Sequence, residues 1–223
     1  MALTDDAIAK IRDMIVSGEL KPGQRLPPEK ELSDALGLSR SSLREAVKAL
    51  ELIRVLDVRR GDGTYVTTLE PDLLLEAVSF VVDLHQDASL LELFEARRLL
   101  EPQAAGLAAV RMSEEDLRAL RGIVDDVGED TAIDALVAHD LAFHARITAA
   151  CGNSYLRGMI DALSSRTVRA RIWRGLTESG SVQRTLDEHH AIVDALEQRD
   201  PDLVRALVTV HVHGVERWLR RVS

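Results

Sequence analysis

Apolar residues recur at three- and four-residue spacing from the start of the chain. Ala7 to Val16 places Ile8, Ile11 and Ile15 on one side, which predicts a helix, and Lys21-Pro22-Gly23 after it predicts a turn. A short second helix follows. Pro28 suits its first turn, Leu32, Ala35 and Leu36 form its apolar side, and Gly37 suits the left-handed residue after its end. Only Leu38-Ser39 separates this helix from a third, Arg40 to about Leu52, with Leu43, Ala46, Val47 and Leu50 in phase. Two helices joined by so tight a glycine-containing turn make a helix-turn-helix. The pattern then changes. Val55 to Val58 and Thr64 to Thr67 are runs rich in β-branched residues flanking Arg59-Arg60-Gly61-Asp62-Gly63, as in a hairpin with a glycine-rich tip. Three helices and a hairpin predict a winged helix.

From Pro71 onward the hydrophobic period is helical throughout. Helices are predicted at about 71–85, 89–111, 113–128, 131–151, 154–176, 182–199 and 201–221, with breaks at Asp87, Ser113, Gly128, Gly152-Asn153, Gly180 and Asp200-Pro201. The join near Thr68 to Pro71 is short and lacks a flexible linker, so two mechanically coupled domains are expected, residues 1–70 and 71–223. The expected fold class is mainly α: an N-terminal winged helix-turn-helix followed by a C-terminal all-α antiparallel bundle of about seven helices.

Composition narrows the class. Of 223 residues, 46% are hydrophobic, 29% charged and 3% aromatic, too apolar for a disordered chain and too poor in aromatics for a typical β-sandwich. No apolar run reaches the ~18 residues needed to cross a bilayer. The opening MALTDDAIAK lacks a basic start before an apolar stretch, so a protein neither secreted nor membrane-spanning is expected. The single cysteine, Cys151, excludes an intramolecular disulfide and a multi-cysteine zinc cluster, which fits a reducing cytoplasm.

The net charge of -9 argues against nucleic acid until its distribution is considered. Residues 1–70 hold 11 Lys+Arg against 12 Asp+Glu, whereas residues 71–223 hold 17 against 25, and all four lysines fall in the first 50 residues. A DNA-reading module can therefore sit on an acidic larger domain, because the local field governs contact. Ser39, Arg40, Ser41, Ser42 and Arg44 put hydroxyls and guanidinium groups at the start of the third helix, where it would enter a major groove. Serine can bond phosphates, arginine can bond phosphates or guanine edges, and the helix N-terminus favours a phosphate. Ser39 or Ser42 also reads as an N-cap, Ser42 with Glu45 as a capping box, and the arginines as a solvated face; capping and contact are compatible. Lys30 on the preceding helix and Arg59-Arg60 in the wing tip the balance towards DNA.

The stretch Gly18 to Pro27, the run Glu31-Leu32 to Ser39-Arg40, Arg44-Glu45-Ala46, and Arg59 to Val66 resemble the GntR family of bacterial transcription regulators over residues 4–67. The resemblance implies DNA contacts from Lys30, Ser39, Arg40, Ser41, Ser42 and Arg44, and from Arg60 and Gly61 in the wing. Arg54 departs from the family, which usually has glycine at the end of the recognition helix. A non-glycine residue with positive φ there costs ~1 kcal/mol.

In the second domain, polar residues interrupt apolar stripes. On the predicted helix 131–151 the stripe Ile133, Leu136, Val137, Leu141, Ile147 and Cys151 includes Asp140 and His144, close enough at i and i+4 to share one cation. His189 is in phase with Ile192, Val193 and Leu196, and His190 is turned about 100° away. His211 shares a stripe with Leu203, Leu207, Val210, Gly214 and Trp218, whereas His213 aligns with Asp202, Thr209 and Glu216. One acid and three imidazoles thus point inward. Any single histidine reads as a hydrogen-bonded core residue; four converging groups suit a divalent metal, Zn, Ni, Mn or Fe, with positions open to water or ligand.

Glu95-Ala96-Arg97, Leu100-Glu101-Pro102, Asp140 with His144, Gly152-Asn153, Glu188-His189 and His211 resemble the FCD effector domain of the FadR subfamily over about 72–221. The resemblance implies that Asp140, His144, His189 and His211 are the metal ligands. Arg97 lies on the apolar side of its helix, either as partner of an effector carboxylate or in an internal ion pair. Asn153 reads as a helix N-cap and as a candidate for the effector site. Arg98, Arg169 and Arg171 are salt-bridge candidates.

The expected function is a homodimeric, metal-containing transcription regulator, by family habit a repressor, which reads a short palindromic DNA operator and answers to a small organic acid. Three alternatives stand beside it: an acyl-CoA-responsive FadR-like regulator without functional metal, a metal-dependent hydrolytic enzyme, and a DNA-binding protein whose metal is structural only.

Overall fold

The computed structural model describes residues 3–69, 90–128 and 131–222, with backbone alone for Leu3, Ser165, Arg166 and Arg169. The chain divides into two compact units, Met1–Val78 and Ser79–Ser223. The helix expected at 71–85 and the join at Pro71 lie outside the described residues.

In the first unit, α1 (Leu3–Val16) packs on α3 (Arg40–Leu52), and α2 (Glu29–Leu36) meets α3 through the turn at Gly37. Gly37 adopts φ 64°, and its N–H bonds the Asp34 carbonyl at the end of α2. Ser39 caps α3, its hydroxyl accepting from the Ser42 N–H at 3.0 Å. The Ser42–Glu45 capping box does not form, because Ser39 already takes the cap and Ser42 lies inside the helix. Ile11, Leu20, Leu32, Leu43, Leu50, Leu56 and Val66 close one core.

The wing pairs β1 (Leu56–Arg59) with β2 (Gly63–Val66), Leu56 opposite Val66 and Arg59 opposite Gly63. Both strands are offset by one residue from the β-branched runs. The tip is fixed from below: Arg25 donates to the Asp62 carbonyl and lies where a side chain at position 63 would have to go. Arg54 adopts φ 60°, the left-handed conformation expected from its place after α3.

The second unit is all helical among its described residues: α4 (Leu90–Ala109), α5 (Glu114–Asp125), α6 (Ile133–Ala149), α7 (Ser154–Arg166), α8 (Val168–Thr177), α9 (Ser181–Glu197) and α10 (Pro201–Val222). The long helices α4 and α10 pack along one another, α6 lies against α4, α5, α7 and α8, and α9 rests on α10 and α5. Phe94, Leu120, Phe143, Ile192, Leu196, Val208 and Trp218 share the core. Ser113 and Asp116 form a capping box at the start of α5.

The helix expected over 154–176 is broken at Thr167. The Thr167 hydroxyl donates to the Ser164 carbonyl at 3.0 Å, and the Thr167 N–H bonds the same carbonyl at 3.2 Å. Threonine bonding one turn back in this way bends a helix without altering its apolar period. No helix among the described residues is long and apolar enough to cross a membrane.

Candidate metal centre and nucleic-acid interface

Asp140 and His144 project one turn apart from α6, His189 from α9 and His211 from α10, and all four side chains are buried. The phase of each helix explains this: His189 is fully buried while the side chain of His190 is 43% exposed, and His211 is buried while His213 is 51% exposed. One ligand atom from each of the four lies within 4.8 Å of the others. Asp140 Oδ1 is 3.4 Å from His189 Nε2, 3.6 Å from His144 Nε2 and 3.8 Å from His211 Nε2; the last two nitrogens are 3.1 Å apart. Two atoms held by one ion at ~2.1 Å are separated by roughly 3.0–3.4 Å at octahedral or tetrahedral angles. Four of the six separations thus lie within a few tenths of an ångström of bonding geometry, and the other two, from His189 Nε2 to the other two imidazoles, are within 4.8 Å.

Carboxylates orient two of the rings from behind. Glu101 Oε2 is 3.1 Å from His144 Nδ1, and Glu188 Oε2 is 2.8 Å from His211 Nδ1. A carboxylate facing Nδ1, hydrogen-bonded to it in the case of His211, favours the proton there and the Nε2 lone pair inward. Two such lone pairs at 3.1 Å repel unless a proton or a cation lies between them. His189 stacks on Phe143 with ring centroids 3.9 Å apart, and neither of its nitrogens makes a hydrogen bond of normal geometry among the described residues. Burial pushes its pKa down to about 3, so the ring is neutral. Asp140 is ionised: burial alone would raise its pKa, but Arg171 and His144 hold it well below the usual carboxylate range. A buried unpaired imidazole nitrogen facing a carboxylate fits a cation.

The surroundings are rich in guanidinium groups. Arg171 donates to Asp140 Oδ2, to the Ser164 carbonyl at 2.9 Å and to the Thr167 hydroxyl at 3.0 Å. Arg97 donates to Glu101 and to Thr167, so the internal ion pair is the alternative observed for it. Arg98 pairs with Glu216 at 3.0 Å. Asp140, His144 and His211 line a cavity together with Arg97, Arg171, Arg174 and apolar residues such as Leu136 and Leu186; its empty volume, mouth included, is about 690 Å³. His139 also lines it. Its ring is bonded to the Ile123 backbone, and Nε2 is buried without a partner among the described residues. Asn153 is placed elsewhere. It is an exposed N-cap whose side chain accepts from the Leu156 N–H at 3.0 Å, and it does not line the cavity.

The residues behind the four inward groups escaped sequence reasoning. Glu101 had a signal, since it lies four positions after Arg97 on the buried side of α4. Glu188 had none beyond its place next to His189. Arg171 is a salt-bridge candidate in the sequence and does pair, with Asp140, but neither that partner nor Arg174 could be read across the break at Thr167.

In the first unit, Lys30, Ser39, Arg40, Ser41, Arg44, Arg60 and Gly61 are exposed on the start of α2, the first turns of α3 and the wing tip. Ser42 is not among them. It is buried, and its hydroxyl bonds that of Ser39 at 2.8 Å. Arg44 is paired with Glu29.

Residues 3–66 match the model of the bacterial regulatory proteins, gntR family, and residues 92–214 match that of the FCD domain. The chain belongs to the GntR family. This GntR/FCD chain is 32% identical over 209 residues to the HTH-type transcriptional regulator LutR of Bacillus subtilis (strain 168), across 91% of its own length and 94% of that protein. It is 27% identical to the galactonate operon transcriptional repressor of Escherichia coli (strain K12), across 99% and 98%. The solved structure of Streptococcus agalactiae GntR superposes with a TM-score of 0.67 at 25% identity, covering 96% of this chain and 99% of that one. The GntR/FCD chain is accordingly a DNA-binding transcription regulator, and its relatives are regulators rather than enzymes, which sets the hydrolytic alternative aside.

Proposed function

We propose that this regulator is a homodimeric repressor whose operator affinity is controlled by a small carboxylate metabolite bound beside a divalent ion, which Asp140, His144, His189 and His211 hold. The carrying observation is the inward set itself: His189 Nε2, buried and unbonded, faces Asp140 Oδ1 beside two imidazole nitrogens 3.1 Å apart. Three nitrogens and one oxygen suit Zn, Ni, Mn or Fe. When bound, the ion supplies open coordination positions that attract a carboxylate.

The remaining work falls to the cavity lining. Arg97, Arg171 and Arg174 are each matched by one carboxylate, Glu101, Asp140 and Glu178 respectively. Glu188 behind His211 adds a fourth carboxylate, and a divalent ion added to this set still leaves it net positive, which selects an anion. His139 Nε2, with its ring proton committed to the Ile123 backbone, is an acceptor that seeks a hydroxyl donor. The effector class is therefore a hydroxycarboxylate, in keeping with a relative named for the galactonate operon. A lining so rich in charge favours this reading over an acyl thioester.

Lys30, Ser39, Arg40, Ser41, Arg44, Arg60 and Gly61 serve as the DNA-facing set, with Ser42 acting only through Ser39. Two copies related by a two-fold axis read a palindrome. Effector and operator affinities are linked reciprocally, by about 1–3 kcal/mol.

Thermal denaturation of the metal-loaded protein with hydroxycarboxylates such as galactonate and lactate, and with propionate as the deoxy control, tests this reading. A hydroxycarboxylate at a hundred times its Kd stabilises by ~2.7 kcal/mol and raises Tm by several degrees, and it weakens operator binding. A flat response to every carboxylate, in both Tm and operator affinity, contradicts it.

A further inference from the structure

Arg44 stands one turn into α3, and Glu29 is the first residue of α2. Arg44 Nε lies 3.0 Å from Glu29 Oε1 and 3.1 Å from Oε2, and Nη2 lies 3.0 Å from Oε1. The carboxylate thus occupies the side edge of the guanidinium group. The end edge, formed by Nη1 and the outer N–H of Nη2, has no partner among the described residues. Both side chains are exposed, so the pair is not a requirement of the core. The hydrogen bond to Arg44 lowers the Glu29 pKa, which keeps the carboxylate charged.

We propose that Glu29 is a positioning residue that makes Arg44 a reader of guanine rather than a general phosphate contact. This rests on the reading of α3 as the helix that faces the major groove. The free end edge carries two parallel N–H donors, the pattern that matches O6 and N7 of guanine. Gripping the side edge fixes the plane of the guanidinium group before DNA arrives, so less side-chain entropy is lost on contact. The carboxylate also offsets the positive charge and opposes nearby phosphates. A paired Arg44 gains little from the backbone alone and much from the right base. Specificity at one base pair in each half-site would then depend on a residue that never touches it.

The test uses the full-length protein and an operator selected from random duplexes by the wild type, with each base pair of the half-site then substituted in turn. Arg44→Ala is expected to erase discrimination at one guanine position. Glu29→Gln keeps the shape and removes the charge; it is expected to lower discrimination at that same position by about 10-fold, while affinity for a scrambled duplex stays level or rises. The salt dependence of scrambled-duplex binding is also expected to steepen in Glu29→Gln, which a purely structural role would not cause. Full discrimination by Glu29→Gln at the position that Arg44→Ala erases overturns the proposal. Uniform weakening of all sequences by Arg44→Ala would instead mean a phosphate contact, and the reading of α3 beneath the proposal fails with it.

Discussion

His189→Ala is expected to lower metal occupancy from about one ion per chain to below roughly a tenth, and to abolish the Tm response to carboxylates. The reason lies in the helical phase of α9. His189 is the fully buried ring of that helix and presents Nε2 to Asp140 Oδ1 at 3.4 Å. Without it the site keeps two imidazoles and a carboxylate that Arg171 already engages. His190→Ala is the control: its side chain is 43% exposed and 3.8 Å from Asp125, and the variant should match the wild type in both measurements. Elemental analysis after gel filtration and thermal scans with and without chelator read the two effects separately, since the scans under chelator report the packing lost beside Phe143. Equal behaviour of the two variants would mean that the inward face of α9 has been misassigned.

Arg44→Ala is expected to weaken operator binding at least ~30-fold while leaving metal content unchanged. In the dimer proposed above, each half-site would lose the same contact, so the effect compounds. The metal readout stays intact because Arg44 belongs to the first compact unit and the Asp–His cluster to the second. Fluorescence anisotropy at fixed salt checks the affinity, and an unchanged Kd would place recognition on a different surface.

Much of this arrangement was legible in the sequence because it is carried by periodicity. Leu32, Leu43, Ala46 and Leu50 mark the buried sides of α2 and α3, and Gly37 marks the turn between them. The same arithmetic turned Asp140, His144, His189 and His211 inward, since a 3.6-residue repeat encodes direction as well as helicity. Interactions between helices carry no such signal. Glu188 reaches His211 on α10, and Arg171 reaches Asp140 on α6, through packing that no local spacing reports. The break at Thr167 escaped for a related reason: Thr167 and Arg171 bond the Ser164 carbonyl where α7 ends, while the apolar repeat runs on. The family resemblance puts Ser42 among the DNA contacts, but the cap removes it from the surface. Once Ser39 takes that role, Ser42 is carried into the helix and buried. Asn153 is the cap that the sequence indicates, but it does not line the cavity, because nothing in the sequence places the end of α6 relative to it.

Four inward side chains, on the proposed reading, grip one ion. Anomalous X-ray diffraction from crystals of the full-length protein, recorded on both sides of the absorption edge of the supplied metal, tests this most directly. One peak per chain is expected, about 2.0–2.2 Å from Asp140 Oδ1 and from the Nε2 atoms of His144, His189 and His211. A peak elsewhere, or none with any of Zn, Ni, Mn or Fe, would contradict that reading.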